Sequence, residues 1–346
     1  MRSTPAFQAT APGSGLELVT VERRELRPDD VAVRVTHCGV CHTDLHAVSS
    51  QDPDAFPVVP GHEFVGEVAA VGASVTEFAV GDPVAVGNIV DSCGVCAMCV
   101  AGQENFCAEF PTLTYGGRDR VDGARTLGAY AGEYVVRDRF VYHRPAGLDP
   151  AAVAPLMCAG ITVWEPLRRW QVGPGSRVGV VGLGGLGHLA VKLAHALGAR
   201  VTVFTTSPGK ADDARALGAD DVVVSTDPSA MAAVANSLDL VVDTVSAAHD
   251  LTPYLGVVAL DGTLCSVGHL GPIEIETMAL LIGRKSLASG GSGGRPHTQE
   301  LLDFCGEHGI TADVEVVPSR EVGTALERLG RNDVRYRFVL DLADLG

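Results

Sequence analysis

Residues 38–46 read CGVCHTDLH, which puts two cysteines, two histidines, a threonine and an aspartate in one short stretch. Thiolates and imidazoles at that density are natural metal ligands, and a hydroxyl beside them can pass a proton. A catalytic zinc takes three protein donors and keeps a fourth position open for water or substrate. Cys38 and Cys41 make a C-x2-C pair. The chain also offers PGHEFVGEV, with His62 and Glu63, and PLMCAG, with Cys158. Spacing alone does not choose among these donors.

A second constellation is sharper. CGVCAMCVAGQENFC sets Cys93, Cys96, Cys99 and Cys107 in a C-x2-C-x2-C-x7-C array. Four thiolates from one loop close a tetrahedron around Zn2+, so such a site folds a lobe and does no chemistry. An iron–sulfur cluster is the rival. The bacterial ferredoxin run has a last gap of three and then proline, whereas here the last gap is seven and Ala108 follows. The array therefore predicts a structural zinc lobe over residues 91–108.

The third motif is VVGLGGLGH, with Gly182, Gly184 and Gly187 in G-x-G-x-x-G spacing. The pattern is weak alone. Here it follows a strand-like run, Arg177–Val181, and opens a helical one that stops near Gly198. In that context it is a dinucleotide fingerprint. Gly182 permits the tight turn, Gly184 lets the backbone approach a pyrophosphate, and Gly187 lets helix and sheet pack. Gly185 and Leu186 complete the loop. NAD sites usually carry an acid at the end of the next strand. This chain reads FTTSPGK there, with Thr205, Thr206 and Ser207 offering hydroxyls and Lys210 a cation. The reading is NADP(H) over NAD(H); the bland alternative is a solvent-facing turn, which favours the same residue types.

These motifs need elements to hold them. At 346 residues, two domains are the default. The first half is strand-like: DVAVRV (Asp30–Val35), FVGEVAAVG (Phe64–Gly72) and VTEFAVGDPVAV (Val75–Val86) are β-branched runs between turns. From Asp149 to Trp170 the pattern predicts one or two helices, with Trp164 and Trp170 in the core. Strand and helix patterns then alternate, which implies a parallel sheet with helical crossovers. The expected fold is α/β: a β-rich part over 1–150 and a doubly wound Rossmann domain over 151–285, followed by a mixed stretch.

Acids outnumber bases, 42 to 26, giving a formal charge of −16, which disfavours nucleic acid and anionic membranes as partners. No signal-peptide pattern opens the chain, and VGVVGLGGLGHLAV is too short and glycine-rich to span a bilayer. Nine cysteines without an export signal suggest metal ligation and a cytoplasmic protein.

Taken in order, GVCHTDLH, PGHEFVGEV, the cysteine quartet, PLMCAGITV, GLGGLGH and the terminal NDVRYRFVLDL resemble the zinc-dependent medium-chain alcohol dehydrogenases. The branch is that of the cinnamyl alcohol dehydrogenases and bacterial NADP-dependent aldehyde reductases, and the resemblance covers nearly the whole chain. It implies that 286–346 joins 1–150 as one GroES-like catalytic domain, that the active site lies in the cleft, and that the protein is a homodimer. It implies a catalytic zinc on Cys41, His62 and Cys158, with Glu63 as an acid able to enter the coordination sphere. Asp44 would orient His62, and Cys38 would be a core thiol. His42 would contact the cofactor pyrophosphate and Thr162 would lie near the nicotinamide. Thr43 would bond the substrate oxygen, and His46 would end a proton relay to solvent. The implied reaction is reversible NADPH-dependent reduction of a small-molecule aldehyde to a primary alcohol. The sequence departs from the family where the pocket should be. Thr112 or Leu113 stands where a tryptophan is usual, and Leu287–His297 lacks bulk. Reduction of an imine, iminium or activated alkene is therefore the rival within the class. A non-catalytic NADP-binding redox sensor is the rival outside it. Arg295 could meet an anionic substrate, though a solvated loop arginine is the plainer expectation.

Overall fold

The computed structural model describes residues 1–269 and 271–345. Its contacts divide the chain into two units, Met1–Cys158 with Gly293–Gly346, and Ala159–Ser292.

The first unit is built on a seven-stranded sheet whose central strand is Asp30–Val40. This strand pairs antiparallel with Phe64–Val71, with Arg337–Asp341 and, along its first half, with Glu133–Arg137. Val31, Val33, Val35, Cys38 and Val40 all enter the core. The strand runs past Val35, where the alternating pattern ends, because a register shift between Val35 and His37 absorbs the change of period. That bulge carries the chain on to Cys41. The strand-like run Val75–Val86 yields a strand only at Pro83–Val86. Before it the chain turns, with Asp82 accepting from the Ala79 N–H and Gly81 at positive φ. A hairpin of Arg2–Gln8 and Glu17–Arg23 precedes the sheet.

The helical stretch after Asp149 is broken at a position that matters. The Asp149 side chain accepts from the Ala151 N–H and starts a short helix, Pro150–Val153. A tighter turn follows over Ala154–Met157, and the helix restarts as Ala159–Arg169. Cys158, at φ −127° and ψ −68°, is the break. Trp164 is buried, but Trp170 is only partly buried, with the Arg169 guanidinium stacked 4.7 Å from its ring.

The second unit holds a six-stranded, all-parallel sheet. Its order is Asp221–Val224, Arg200–Thr205, Arg177–Val181, Leu238–Asp243, Val258–Ser266, Ser286–Ser289. Val178, Val180, Val201, Val203 and Phe204 are buried, as expected of strands covered on both faces. The order reverses beside Arg177–Val181, the doubly wound arrangement with its switch point at the first strand. The unit boundaries fall later than residues 150 and 285. Pro150–Met157 packs on the first unit's sheet, and Ser286–Ser289 adds a strand to the second. Among the described residues no single helix is long and apolar enough to cross a membrane.

Candidate functional site

Three donors that are far apart in sequence converge within the first unit. Cys41 stands between the end of the central strand and the helix His42–Val48. His62 lies in the loop before Phe64–Val71, and Cys158 is the helix break. Cys41 Sγ is 4.0 Å from Cys158 Sγ, and His62 Nε2 is 3.2 Å from Cys158 Sγ. All three donor atoms lie within 4.8 Å of one another. A tetrahedral zinc with bonds of about 2.0–2.3 Å spaces its donors by roughly 3.5–3.8 Å, so the set fits that ion and leaves one position open.

Asp44 ties this set together. Its Oδ2 accepts from the Cys41 N–H at 3.0 Å, and its Oδ1 accepts from the Gly61 N–H at 2.9 Å and from His62 Nδ1 at 3.0 Å. With the proton fixed on Nδ1, Nε2 is left as a lone-pair donor toward the two sulfurs. Gly61 takes φ +98°, and a Cβ there would strike the Tyr130 ring and backbone. The turn that delivers His62 therefore needs glycine. A hydrogen bond with Cys158, opposed by burial and helped by His62 and Arg337, holds the Cys41 thiol well below its ordinary range, and the partner interaction together with burial pushes Cys158 up. Burial disfavours the His62 imidazolium, but Asp44 and Cys41 outweigh it and raise its pKa. A metal replaces protons on these groups.

Glu63 is fully buried and is not one of the three converging donors. Its Oε1 accepts from Arg337 Nη2, on the last strand of the sheet. Burial pushes the Glu63 carboxyl up, while the Arg337 guanidinium opposes that shift. Thr43 is exposed, with Oγ1 3.6 Å from Cys41 Sγ. His46 is exposed on the same short helix, its ring centroid 6.4 Å from that of His42. Cys38 is buried one pair away in the sheet, opposite Phe64 and Leu340, and takes no part. Sequence reasoning missed Arg337 and Tyr115. The Tyr115 ring meets that of His62 edge-on at 5.8 Å. The only sequence signal for Tyr115 is an aromatic residue shortly after the quartet.

Cys93, Cys96, Cys99 and Cys107 form the second donor cluster, all four sulfurs within 4.8 Å. Cys93 Sγ and Cys99 Sγ are 3.9 Å apart. Backbone N–H groups of Cys96, Cys93 and Ala108 point at Cys93, Cys107 and Cys96 sulfurs at 3.4–3.5 Å. The Ala108 N–H, then that of Cys99, holds the Cys96 thiol down at about 6, as a thiolate ligand requires. The lobe turns Val95, Met98, Val100, Phe106 and Phe110 to solvent, so it has almost no apolar core. The sulfur set fits a closed tetrahedral zinc, which would supply the missing core.

In the second unit the glycine loop sits at the switch point. Gly182 takes φ +87°, and a Cβ on Gly187 would run into the Gly182 carbonyl oxygen. Gly184 has open space on its Cβ side. The helix Gly187–Ala196 follows directly, with Gly185 and Leu186 at its entry and His188 Nδ1 donating to the Gly184 carbonyl at 3.0 Å. At the end of the next strand, Thr205 is turned inward; its Oγ1 accepts from the Ser207 N–H at 3.1 Å. Thr206 and Ser207 are exposed, and Lys210 Nζ donates to the Leu183 carbonyl at 3.2 Å. The lysine ammonium is thus held against the glycine loop, where phosphate charge would lie. Thr162 Oγ1 accepts from the Ser292 N–H at 3.4 Å.

The unusual segments are now placed. Thr112 is buried, with Oγ1 donating to the Arg118 carbonyl at 3.3 Å, and Leu113 packs on the main core of the first unit. Within 287–297 the chain finishes a strand and begins the helix Arg295–His308. Arg295 opens that helix and is not a solvated loop residue. Its N–H donates to Glu104 Oε2 at 3.0 Å and its guanidinium lies over the Phe140 ring.

Comparison with known proteins agrees with this geometry. A family model described as the alcohol dehydrogenase GroES-like domain matches residues 27–146, and one described as zinc-binding dehydrogenase matches 185–307. The aldehyde reductase YahK of Escherichia coli is 47% identical, covering 99% of this chain and 98% of its own. An NADP-dependent alcohol dehydrogenase C of Mycolicibacterium smegmatis is 45% identical over 100% and 99% of the two chains. The solved structure of a cinnamyl alcohol dehydrogenase from Sorghum bicolor superposes with a TM-score of 0.95 at 44% identity, covering 100% of this chain and 99% of that one.

Proposed function

The chain belongs to the zinc-binding alcohol dehydrogenase family, and on that footing we propose that it reversibly reduces a small aldehyde to a primary alcohol with NADPH. The observation that carries this reading is the convergence of Cys41, His62 and Cys158 into a three-donor set, one donor short of a tetrahedron. When bound, zinc acts there as a Lewis acid on the substrate oxygen, and the nicotinamide supplies or accepts the hydride.

The protein's own residues divide the remaining work. Cys41, His62 and Cys158 hold the catalytic metal, and Asp44 fixes the His62 tautomer. Glu63, held by Arg337, is the nearby acid. Thr43 orients the substrate oxygen and gives it a proton in the reducing direction. His46, exposed to water, replenishes that proton. Cys93, Cys96, Cys99 and Cys107 hold a second, structural zinc. Gly182, Gly184, Gly185, Leu186 and Gly187 cradle the pyrophosphate, with His42 a further contact to it, and Thr162 faces the nicotinamide. Thr206, Ser207 and Lys210 receive the 2′-phosphate, with Thr205 shaping their turn.

We also read the protein as a cytoplasmic homodimer. None of the nine cysteines is tied into a disulfide, as a reducing compartment keeps them. Ser286–Ser289 ends its sheet with an unpaired edge, and Leu260, Met278, Leu281 and Ile282 of the same unit are exposed.

The test measures zinc per chain in the wild type and in Cys158→Ala. It is paired with NADPH and NADH oxidation over a panel of aldehydes, iminium ions and activated alkenes. The expected result is about two zincs falling to about one, with aldehyde turnover reduced about 1,000-fold or more. One zinc in the wild type and no aldehyde turnover would sink the proposal.

A further inference from the structure

The carboxylate of Asp44 carries more of the metal site than its single contact with His62 suggests. It is completely buried, and an ionised carboxylate offers about four acceptor positions. Three are filled, by the N–H groups of Cys41 and Gly61 and by His62 Nδ1. A buried carboxylate with an unfilled acceptor position loses stability, and a buried donor without an acceptor loses more. Such a donor is close by. Tyr115 packs against the cluster of Ala9, Phe56 and Val58, and its ring meets that of His62 in a T-shaped contact, centroids 5.8 Å apart. Its hydroxyl is buried and meets no partner at hydrogen-bonding geometry.

We propose that Tyr115 is a positioning residue for the open metal site: its hydroxyl donates the fourth hydrogen bond to Asp44, and its ring shields the His62 imidazole. The inference rests on the reading of Cys41, His62 and Cys158 as metal ligands. The consequence is mechanical. Asp44 joins the Cys41 turn to the Gly61–His62 turn, so a small rotation of its carboxylate moves two of the three donors together. A fourth hydrogen bond removes that rotation. The aromatic edge denies water access to the His62–Asp44 contact, which strengthens it.

The test uses the full-length protein with both metals bound. Pyridine-2,6-dicarboxylate strips the metals, and the release rate is followed for wild type, Tyr115→Phe, Asp44→Asn and the double variant. The visible spectrum of the protein with cobalt(II) in the open site gives a second readout. Tyr115→Phe should release the first metal about tenfold faster, shift the cobalt bands and leave the second metal in place. In the Asp44→Asn background the same change should add nothing. An unchanged rate and spectrum in Tyr115→Phe overturns this inference and leaves the proposed function standing. Full additivity in the double variant overturns the route through Asp44. A wild type holding one metal per chain overturns both readings. Should Tyr115→Phe lose both metals together through misfolding, 3-fluorotyrosine at this position decides, since it keeps the shape and donates more strongly. Slower release then supports the inference, and unchanged or faster release overturns it.

Discussion

The structural lobe draws its four sulfurs from within residues 93–107, whereas the open site collects its donors from positions 41, 62 and 158. The local set is nearly self-sufficient. Its loop needs no sheet to bring the sulfurs together, and its backbone N–H groups already point at them. The dispersed set depends on a bulge in the central strand, a glycine at positive φ and a helix that breaks at one cysteine. A closed site can be written into a loop. An open one has to be held from outside, because its empty coordination position would otherwise be filled by its own neighbours.

The largest effect that would break this contrast is on stability. Cys99→Ser should remove the lobe's metal and cost several kcal/mol, since the lobe has little else to fold around. Differential scanning calorimetry with limited proteolysis should show cleavage within 93–110 and an open-site metal still present. Loss of both metals together would mean the two sites are not independent. A middle-sized effect sharpens the contrast from the other side. Asp44→Asn should weaken metal binding at the open site by about 10- to 100-fold, read by chelator competition, and leave the quartet unchanged. The smallest effect lies in neither site. Burial alone would raise the Asp119 carboxyl, but Arg27 and the Val121 and Asp122 N–H groups hold it down at about 2. A depressed carboxylate stabilises the fold above its unfolded pKa, about 3.9, and that stability is lost as pH falls from about 4 through 2. Asp119→Asn should flatten the acid limb of stability over that window, measured by urea unfolding, with metal content at neutral pH unaffected.

How much of this was legible in the sequence follows the same division. The quartet and the glycine loop are short-range patterns, and their residues lie where the spacing puts them. The parallel sheet was legible because its strands are buried on both faces and read as unbroken apolar runs. The first unit was read less well. Val75–Asp82 has strand-like residues but is a turn closed by Asp82, and the hairpin from Arg2 to Arg23 was passed over. Arg337 and Glu63 are 274 positions apart, and no local pattern joins them. Thr205 has the type expected of a phosphate-loop hydroxyl, yet it spends that hydroxyl on its own turn. Arg295 looked solvated because its partner, Glu104, belongs to the distant zinc lobe. The quartet's grouping was readable from its spacing, and that of Cys41, His62 and Cys158 from resemblance to the family alone. The supports around the donors were not.

The strand Arg337–Asp341 lies inside the catalytic sheet, between Val314–Pro318 and the central strand Asp30–Val40. In the chain it follows residues 159–292, which form the second unit. On the ribosome, residues 159–292 emerge complete while the catalytic sheet still has a gap beside its central strand. Until Arg337 arrives, Glu63 lacks the guanidinium that its carboxylate meets in the finished sheet. Synthesis order thus delays closure of the metal site until after residues 159–292 are made, and a chain ended before Arg337 would lose this strand and leave the edge strand Val314–Pro318 without its pairing to the rest of the sheet.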